Sequence, residues 1–562
     1  MAARPARLPG ATALLHSARA LCGRLSVRDA SRRHAAHLQP ARHWCSGAHR
    51  RKVAAASGGA AAGSVLFISP VWPERSSSAA GVRTSDLVAS FQERGWAAAF
   101  ASSSSLNDHT AALAAAGVAT RQLPPNREAE LESVLAEAQP TAVVFDRFYA
   151  EEAFSFRVRE LAPSALRILD MQDFHALRAA RQRAAEAGAP AADVLSAGPD
   201  ASSPECLREL AAIHRSDLTL VCSPVELRLL AGHYGVPASK LVLAPFFAPP
   251  SPFDPAAAST AAGAEAAAAA PEAVPAPPFE QRKHFLMIGN WRHPPNLDSA
   301  RWACSEVWPA LRQSLPPEHR DAELHLYGAY AAGAAQQLHK PKAGVHLKGF
   351  APSLDIMLQY RVLLAPLRYG AGLKGKVVDS WWHGLPVVTT PVGAEGMTAD
   401  DAAAEDVAAA VAGQAASLAA ARLGPDRAAE GYIWQQGRQQ AAAEQQQQQQ
   451  QQTQQEDWGG LCGGTTAGGI AGAAALLYSD ASLWQACQQR GFELLRLLYG
   501  RERNLGRVHA AVAAAQQQLE ERRRQDFTGS MLWQQQLRAT EYFSRWIELK
   551  ETAAAAQQAQ QQ

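Results

Sequence analysis

Short apolar runs alternate along the chain with stretches in which apolar residues recur every three or four positions. The first run, Ser64–Pro70 (SVLFISP), reads as a buried strand. Gly81 follows in a Ser/Ala/Gly loop. Leu87, Val88 and Phe91 then recur at helical spacing, and Gly95 closes that helix. Further strands are expected at Trp96–Ala101, Ala142–Asp146, Leu166–Asp170, Leu218–Ser223 and Leu241–Pro245. A second series begins at His284–Gly289 (HFLMIG) and continues through Leu324–Gly328, Val345–Gly349, Val362–Pro366 and Pro386–Pro391. Strand and helix in alternation predict parallel, doubly wound sheets, so the chain reads as two α/β units in tandem. Ligand sites in such sheets lie beyond the carboxyl ends of the strands. Two units facing each other place a cleft between them.

Breaks in the pattern give the organisation. Residues 1–63 read as a transit peptide and disordered leader, 64–247 as the first Rossmann-like unit, and 248–280 as a Pro/Ala-rich linker. Residues 281–436 read as the second unit, 437–475 as a Gln/Gly-rich low-complexity insert, and 476–562 as C-terminal helices. The insert holds the Gln tract Gln445–Gln452 and the Gly-rich patch Gly459–Gly472, neither of which shows a core pattern. Helical periodicity returns at Ser482–Gly500 and Leu532–Lys550, helices that must pack on one unit or the other.

The leader is rich in Arg and His and holds a single acid, Asp29, up to Lys52. Its apolar patch at Ala13–Leu15 is broken by His16 and Arg19, which argues against a secretory signal. An Arg-rich, acid-poor leader suits an organelle, chloroplast or mitochondrion; a cytoplasmic chain with a basic tail is the alternative. The net charge of +2 supplies no field for nucleic acid or an anionic membrane. The 7 Cys fall in no Cys-x-x-Cys pair and no zinc-ligand spacing, which favours a reducing compartment. No run approaches the ~20 uninterrupted apolar residues of a membrane span.

Candidate chemistry concentrates in Tyr369–Gly384 (YGAGLKGKVVDSWWHG), which follows a strand and opens a helix. A helix N-terminus offers free amides to an anion. Gly370, Gly372 and Gly375 let the backbone approach one closely. Lys374 and Lys376 add positive charge, and Asp379 lies one turn into the helix. In outline this is a nucleotide-diphosphate site. The letters Gly370-x-Gly372-x-x-Gly375, with Glu395 about 20 residues on, match a dinucleotide fingerprint, but that motif belongs after the first strand of its unit. They also match most of a P-loop, with Val377 where the metal-binding hydroxyl belongs.

A third pattern fits the context. Strand, Gly-x-Gly-x-Lys-x-Lys, helix with an acid, Gly384-Leu385-Pro386, strand Val387–Thr390, then Gly393–Gly396 resembles the retaining GT-B glycosyltransferases often called group 1. The resemblance spans roughly Ser64–Met397. It implies two Rossmann-like doubly wound domains facing across a cleft, with the sugar nucleotide held by the second. It implies donor contacts at Gly370, Gly372, Gly375, Lys376, Asp379 and Glu395. In Gly289–Asn296 (GNWRHPPN), Arg292 corresponds to a residue near the diphosphate. Gly81 and Arg83 resemble the first-lobe loop that faces acceptor and donor. Asp173 and His175, in the cluster after Asp170, correspond to an acid and a His near the reacting sugar. Ser223-Pro224-Val225-Glu226 resembles the family's strand-end Ser-x-x-Glu, which would place Glu226 in the first-lobe cleft, although the same letters make a capping box. One departure stands out: the family's two Glu with seven residues between them become Ala371 and Asp379.

The resemblance implies transfer of a sugar from a nucleotide-diphosphate sugar to a glycan, lipid or small-molecule acceptor, with retention and no cofactor. Lys374, Arg292 and His175 are the candidate catalytic groups. The chain has no Asp-x-Asp, so no metal is expected. A non-catalytic nucleotide-sugar-binding protein on the same fold is the alternative, and an oxidoreductase using the glycine letters is a third reading.

Overall fold

A computed structural model describes residues 62–256, 275–403 and 458–561. The basic leader, the body of the Pro/Ala linker and the Gln tract lie outside the described residues.

Seven strands, β1 (Gly63–Ser69), β2 (Trp96–Ser102), β3 (Ala119–Gln122), β4 (Ala142–Asp146), β5 (Leu166–Asp170), β6 (Leu218–Val221) and β7 (Leu241–Leu243), form the first sheet. Their order is β3-β2-β1-β4-β5-β6-β7 and every pairing is parallel. All residues of β4 and β5 are buried, as expected of central strands covered on both faces. That is why they read as unbroken apolar runs. The edge strand β3 (ATRQ) has no such signature, because only an inner neighbour and solvent constrain it.

The second sheet contains β8 (Lys283–Ile288), β9 (Leu324–Tyr327), β10 (Val345–Gly349), β11 (Tyr360–Ala365), β12 (Val387–Thr389) and β13 (Gly460–Cys462), in the order β10-β9-β8-β11-β12-β13. It too is parallel throughout. Two parallel, doubly wound sheets with a shared cleft make this a GT-B fold.

One sequence expectation needs correction. Residues 437–475 read as a low-complexity insert, yet Gly460–Cys462 is an edge strand of the second sheet, and Ala467–Ser479 is a helix with Ile470, Ala471, Ala474 and Leu477 buried. The cause is close packing. A Cβ on Gly460 would sit 1.9 Å from the Val387 carbonyl oxygen, and one on Gly459 would sit 2.5 Å from the Trp381 indole nitrogen. Such positions demand glycine, and glycine carries no hydrophobic pattern.

The C-terminal helices serve both lobes. Ala481–Tyr499 packs on the second, where Trp484 Nε1 donates to the Arg361 carbonyl at 2.6 Å. After Gly500 the chain crosses back. Leu505, Val508, Val512 and Ala515 of the helix Arg501–Gln517 join the core beside β1 and β2. The two crossings are zipped together: Ala248 N donates to Tyr499 O and Arg501 N to Ala248 O, at 2.8 and 3.0 Å. The final helix, Phe527–Gln561, sets Trp533 over Arg167, Arg159 and Arg215 of the first lobe.

In each sheet the chain reverses its direction of winding beside the first strand, between β1 and β4 and between β8 and β11. A crevice opens at such a switch point. The loops after β1, β4, β8 and β11 therefore converge on one cleft.

Trp381 ties the donor-lobe helix Gly375–Trp382 to the returning chain. It is fully buried against Trp458 and Tyr499, and its Nε1 donates to the Gly459 carbonyl at 2.8 Å. Trp381→Ala is expected to cost about 3–5 kcal/mol, read as a lower urea midpoint of the full chain, whereas substitution of the exposed Leu476 leaves the midpoint unchanged.

Candidate functional site

The cleft encloses about 890 Å³ and is lined by both lobes. Its centre is a meeting of two helix N-termini. The helix Gly375–Trp382 begins at Lys374, which has no side-chain oxygen to cap it. The helix Ala79–Glu93 of the first lobe begins at Ser78, whose hydroxyl accepts from the Gly81 amide. A Cβ built on Gly375 would lie 2.5 Å from the Ala79 Cβ. The positive ends of two helix dipoles are thus in van der Waals contact, a setting that favours a bound anion.

Lys374 and Lys376 add to this field. Both line the cleft, and Lys374 is 7% exposed. Its Nζ donates to the Gly372 carbonyl, and Lys376 Nζ donates to Asn296 Oδ1 at 2.7 Å. Burial pushes Lys376 down to about 8, and the neighbouring Lys374 adds to the shift. Burial lowers Lys374 as well, against an opposing pull from Glu395. Lys374 feels the carboxylates of Glu395 and Glu226, whereas Lys376 is held by the uncharged Asn296 amide. Gly370, Gly372, Gly375 and Asp379 line the same wall.

Opposite lies the loop after β5. Asp173 lines the cleft and accepts from His175 Nε2 at 3.1 Å and from Arg178. Burial alone would raise this carboxyl, but Arg178 and His175 outweigh it and hold it well below the usual range. His175, the predicted catalytic His, therefore faces the cleft with its Nε2 tied to Asp173. Glu209 accepts from the His175 and Ala176 amides, both at 3.0 Å, and fixes the start of that helix. Arg83 is placed differently from expectation. It reaches the cleft wall but is committed to Asp170 and the Ala244 carbonyl, and it is 1% exposed. It pins β5 to the end of β7 rather than offering a free donor.

Two predicted acids prove to be ties between lobes. Glu395 stands outside the cleft lining, and Arg181 of the first lobe grips both its oxygens, at 2.6 and 2.7 Å. The same guanidinium donates to the Gly370 carbonyl at 3.0 Å. Glu226 lies beneath the loop rather than in the cleft wall. Its Oε1 accepts from the Phe174 amide at 3.0 Å and from the Gly372 amide at 2.8 Å. The Gly372 amide is therefore already occupied, and within the first turn of the helix the Val377 amide donates to the Lys374 carbonyl at 2.8 Å, which leaves Gly375 and Lys376 to present the helix's first N–H groups. Burial pushes Glu226 up to about 7, helped by Asp173. The loop lies so close that a Cβ on Gly372 would come 2.9 Å from Asp173 Cβ, and Gly372 has φ +63°.

Arg292 and Gly81 fall away from the mouth lined by Lys374 and Lys376. Arg292 is exposed, and its guanidinium lies 3.7 Å from the Tyr330 ring centroid. Gly81 packs under the 73–78 loop, where a Cβ would meet the Glu74 backbone at 2.5 Å. Both line a smaller annex. Three contributors went unnoticed in the sequence: Asn296, Arg181 and Arg147, the last of which lines the cleft and pairs with Asp146 at 2.7 Å. Asn296 lay inside the quoted GNWRHPPN loop and was legible there; Arg181 sits in an Arg-rich helix with nothing to distinguish it. Among the described residues no group of three or more His, Cys, Asp or Glu side chains is gathered to hold a metal ion, and no helix is long and apolar enough to cross a membrane.

Residues 282–422 match a family model described as Glycosyl transferases group 1, which covers about a quarter of the chain and includes the Gly/Lys loop. A comparison with curated proteins finds no match. Among solved structures, the chain is similar to the sucrose-phosphate synthase of Thermosynechococcus elongatus, with 12% identity, a TM-score of 0.49, and coverage of 80% of this chain and 100% of that one. It is also similar to a glycosyltransferase of Rickettsia africae, with 9% identity, TM-score 0.48 and coverage of 80% and 97%. For HepE of Anabaena in complex with UDP-glucose the values are 10%, 0.48, 80% and 99%.

The low-lying Lys376 gives a pH signature. An anion at the mouth restores its pKa, so binding takes up a proton wherever the empty site has lost one. Affinity for pyrophosphate or a nucleoside diphosphate should fall as pH rises, and above pH 8 loss of the Lys376 proton should add up to about tenfold per pH unit. Calorimetry in buffers of different ionisation enthalpy reads this as proton uptake above pH 8, and Lys376→Gln reduces that uptake.

Proposed function

We propose that this chain is a glycosyltransferase of the group 1 type, moving a sugar from a nucleotide-diphosphate donor to an acceptor hydroxyl. The observation that carries the reading is the pair of abutting helix N-termini with Lys374 and Lys376 at the cleft mouth. The family match on the second lobe supports it. In such a reaction the bond from sugar C1 to the diphosphate oxygen breaks while negative charge grows on the leaving phosphate. Fixed cations and amide dipoles at that oxygen lower the barrier because they need no reorganisation. Lys374 and Lys376 supply the charge, and the first-turn amides supply the dipoles. Asp379, one turn along, is the candidate for the ribose hydroxyls.

In this account the acceptor oxygen attacks C1 from the face that the diphosphate leaves. Its proton passes to the departing phosphate oxygen, and configuration is retained. No side chain has to act as nucleophile. His175, oriented by Asp173, stands on the acceptor side as a hydrogen-bonding partner to the transferred sugar. The charge is met by lysines and dipoles, so the reading requires no metal. The Arg-rich leader would carry an organelle address. Ala371 favours a second reading: a donor loop short of one acid also suits a protein that binds a nucleotide sugar without transferring it.

The test is a thermal-shift and calorimetric screen of UDP-, ADP-, GDP- and dTDP-sugars on the full chain, followed by assay of nucleotide release. A true ligand raises the melting temperature with concentration. Lys374→Ala should lower turnover by about 10²–10³-fold, chelator should leave it intact, and the anomeric proton of the product should show retention. Tight binding with no turnover on any acceptor would favour the binding-protein reading; chelator-sensitive turnover would contradict the metal-free mechanism.

A further inference from the structure

Beside the main cleft lies an annex of about 240 Å³. That is roughly eight water volumes at ~30 Å³ each, the bulk of one monosaccharide. It is continuous with the cleft, since Val71, Ser78, Ala80, Arg147 and Asn290 border both. Its remaining wall brings Glu74 and Asp146 of the first lobe against Arg292 and Tyr330 of the second.

The charge pattern there differs from that of the mouth. Two carboxylates stand with two guanidiniums. Asp146 accepts from Arg147 and from Ser69 Oγ, each at 2.7 Å. Tyr330 Oη lies 3.5 Å from both oxygens of Glu74, a long contact across the lobes. Tyr330 is 39% exposed, with Arg292 against its ring. A balanced set of donors and acceptors beside a part-open aromatic ring suits a neutral polyhydroxylated ligand; a surplus of cations would have suited a phosphorylated one. Two of these residues are held in a backbone region that non-glycine residues rarely adopt: Arg147 at φ 72°, ψ 160°, and Tyr330 at φ 61°. Strain of this kind persists where the surroundings over-determine it, and it clusters at ligand sites. Gly81 belongs to the same construction, because only glycine lets the 73–78 loop settle over the helix and bring Glu74 to the annex.

We infer that the annex is the acceptor subsite, that it takes a neutral sugar or polyol, and that Glu74, Arg292 and Tyr330 set its specificity. The acceptor role rests on the glycosyltransferase reading; the sugar-binding chemistry of the annex does not. The second lobe then serves both substrates, with Lys374 and Lys376 toward the donor and Arg292 and Tyr330 toward the acceptor.

Saturation-transfer NMR on the full chain tests this with methyl glucoside, methyl mannoside, maltose and glucose 6-phosphate as probes, with and without saturating UDP. A neutral probe should give signal that persists with UDP present and falls at least fivefold in both Tyr330→Ala and Glu74→Gln. Unchanged thermal unfolding in Glu74→Gln separates lost binding from lost fold. The inference is overturned if signal survives both substitutions, if UDP displaces the sugar, or if only glucose 6-phosphate binds. An annex-dependent sugar signal in a chain that binds no nucleotide would uphold the subsite and defeat the glycosyltransferase reading.

Discussion

The abutting N-termini of the helices Ala79–Glu93 and Gly375–Trp382 set the terms for the rest of the structure. Like ends of helix dipoles repel, and two lysines beside them raise the local potential further. Such an arrangement persists without an anion only if other contacts hold the lobes together. Arg181 grips Glu395 and the Gly370 carbonyl, Arg228 pairs with Asp401 at 3.1 Å, and Glu226 accepts from the Gly372 amide. The paired crossings at Ala248 and Gly500 fix the distance between the lobes from behind. A positively charged mouth is thus held shut by ties placed around its rim.

Those ties explain why two acids expected in the cleft, Glu395 of the second lobe and Glu226 of the first, do not line it. Glu226 and Glu395 neutralise and position; they do not face the ligand. Glu226 also brings negative charge beneath the Gly/Lys loop, and its raised pKa lessens that charge near neutral pH. Lys376 and Glu226 consequently act in the same sense, with anion binding favoured toward lower pH.

Much of this was legible in the sequence, for identifiable reasons. Central parallel strands such as β4 and β5 are buried on both faces, so their apolar runs stand out. The Gly/Lys loop was legible because glycines and lysines fall at fixed spacing between a strand and a helix, where the chain packs too closely for larger side chains. The edge strand β3 escaped because half its surroundings are water. β13 and the helix after it escaped because tight contact with Val387 and Trp381 selects glycine and alanine, which look like low complexity. The partners of charged residues were not legible at all. Nothing in the local sequence says that Arg181 meets Glu395, since 214 positions separate them, nor that Arg292 turns to Tyr330 instead of the mouth.

The most direct measurement of the central claim is an experimental structure of the chain with UDP bound. The account predicts the diphosphate against the first-turn amides of Gly375–Trp382, with Lys374 and Lys376 on its oxygens and the Ala79 helix terminus facing it. Phosphates bound elsewhere, or lysines that stay on Gly372 and Asn296 while UDP occupies the cleft, would contradict it.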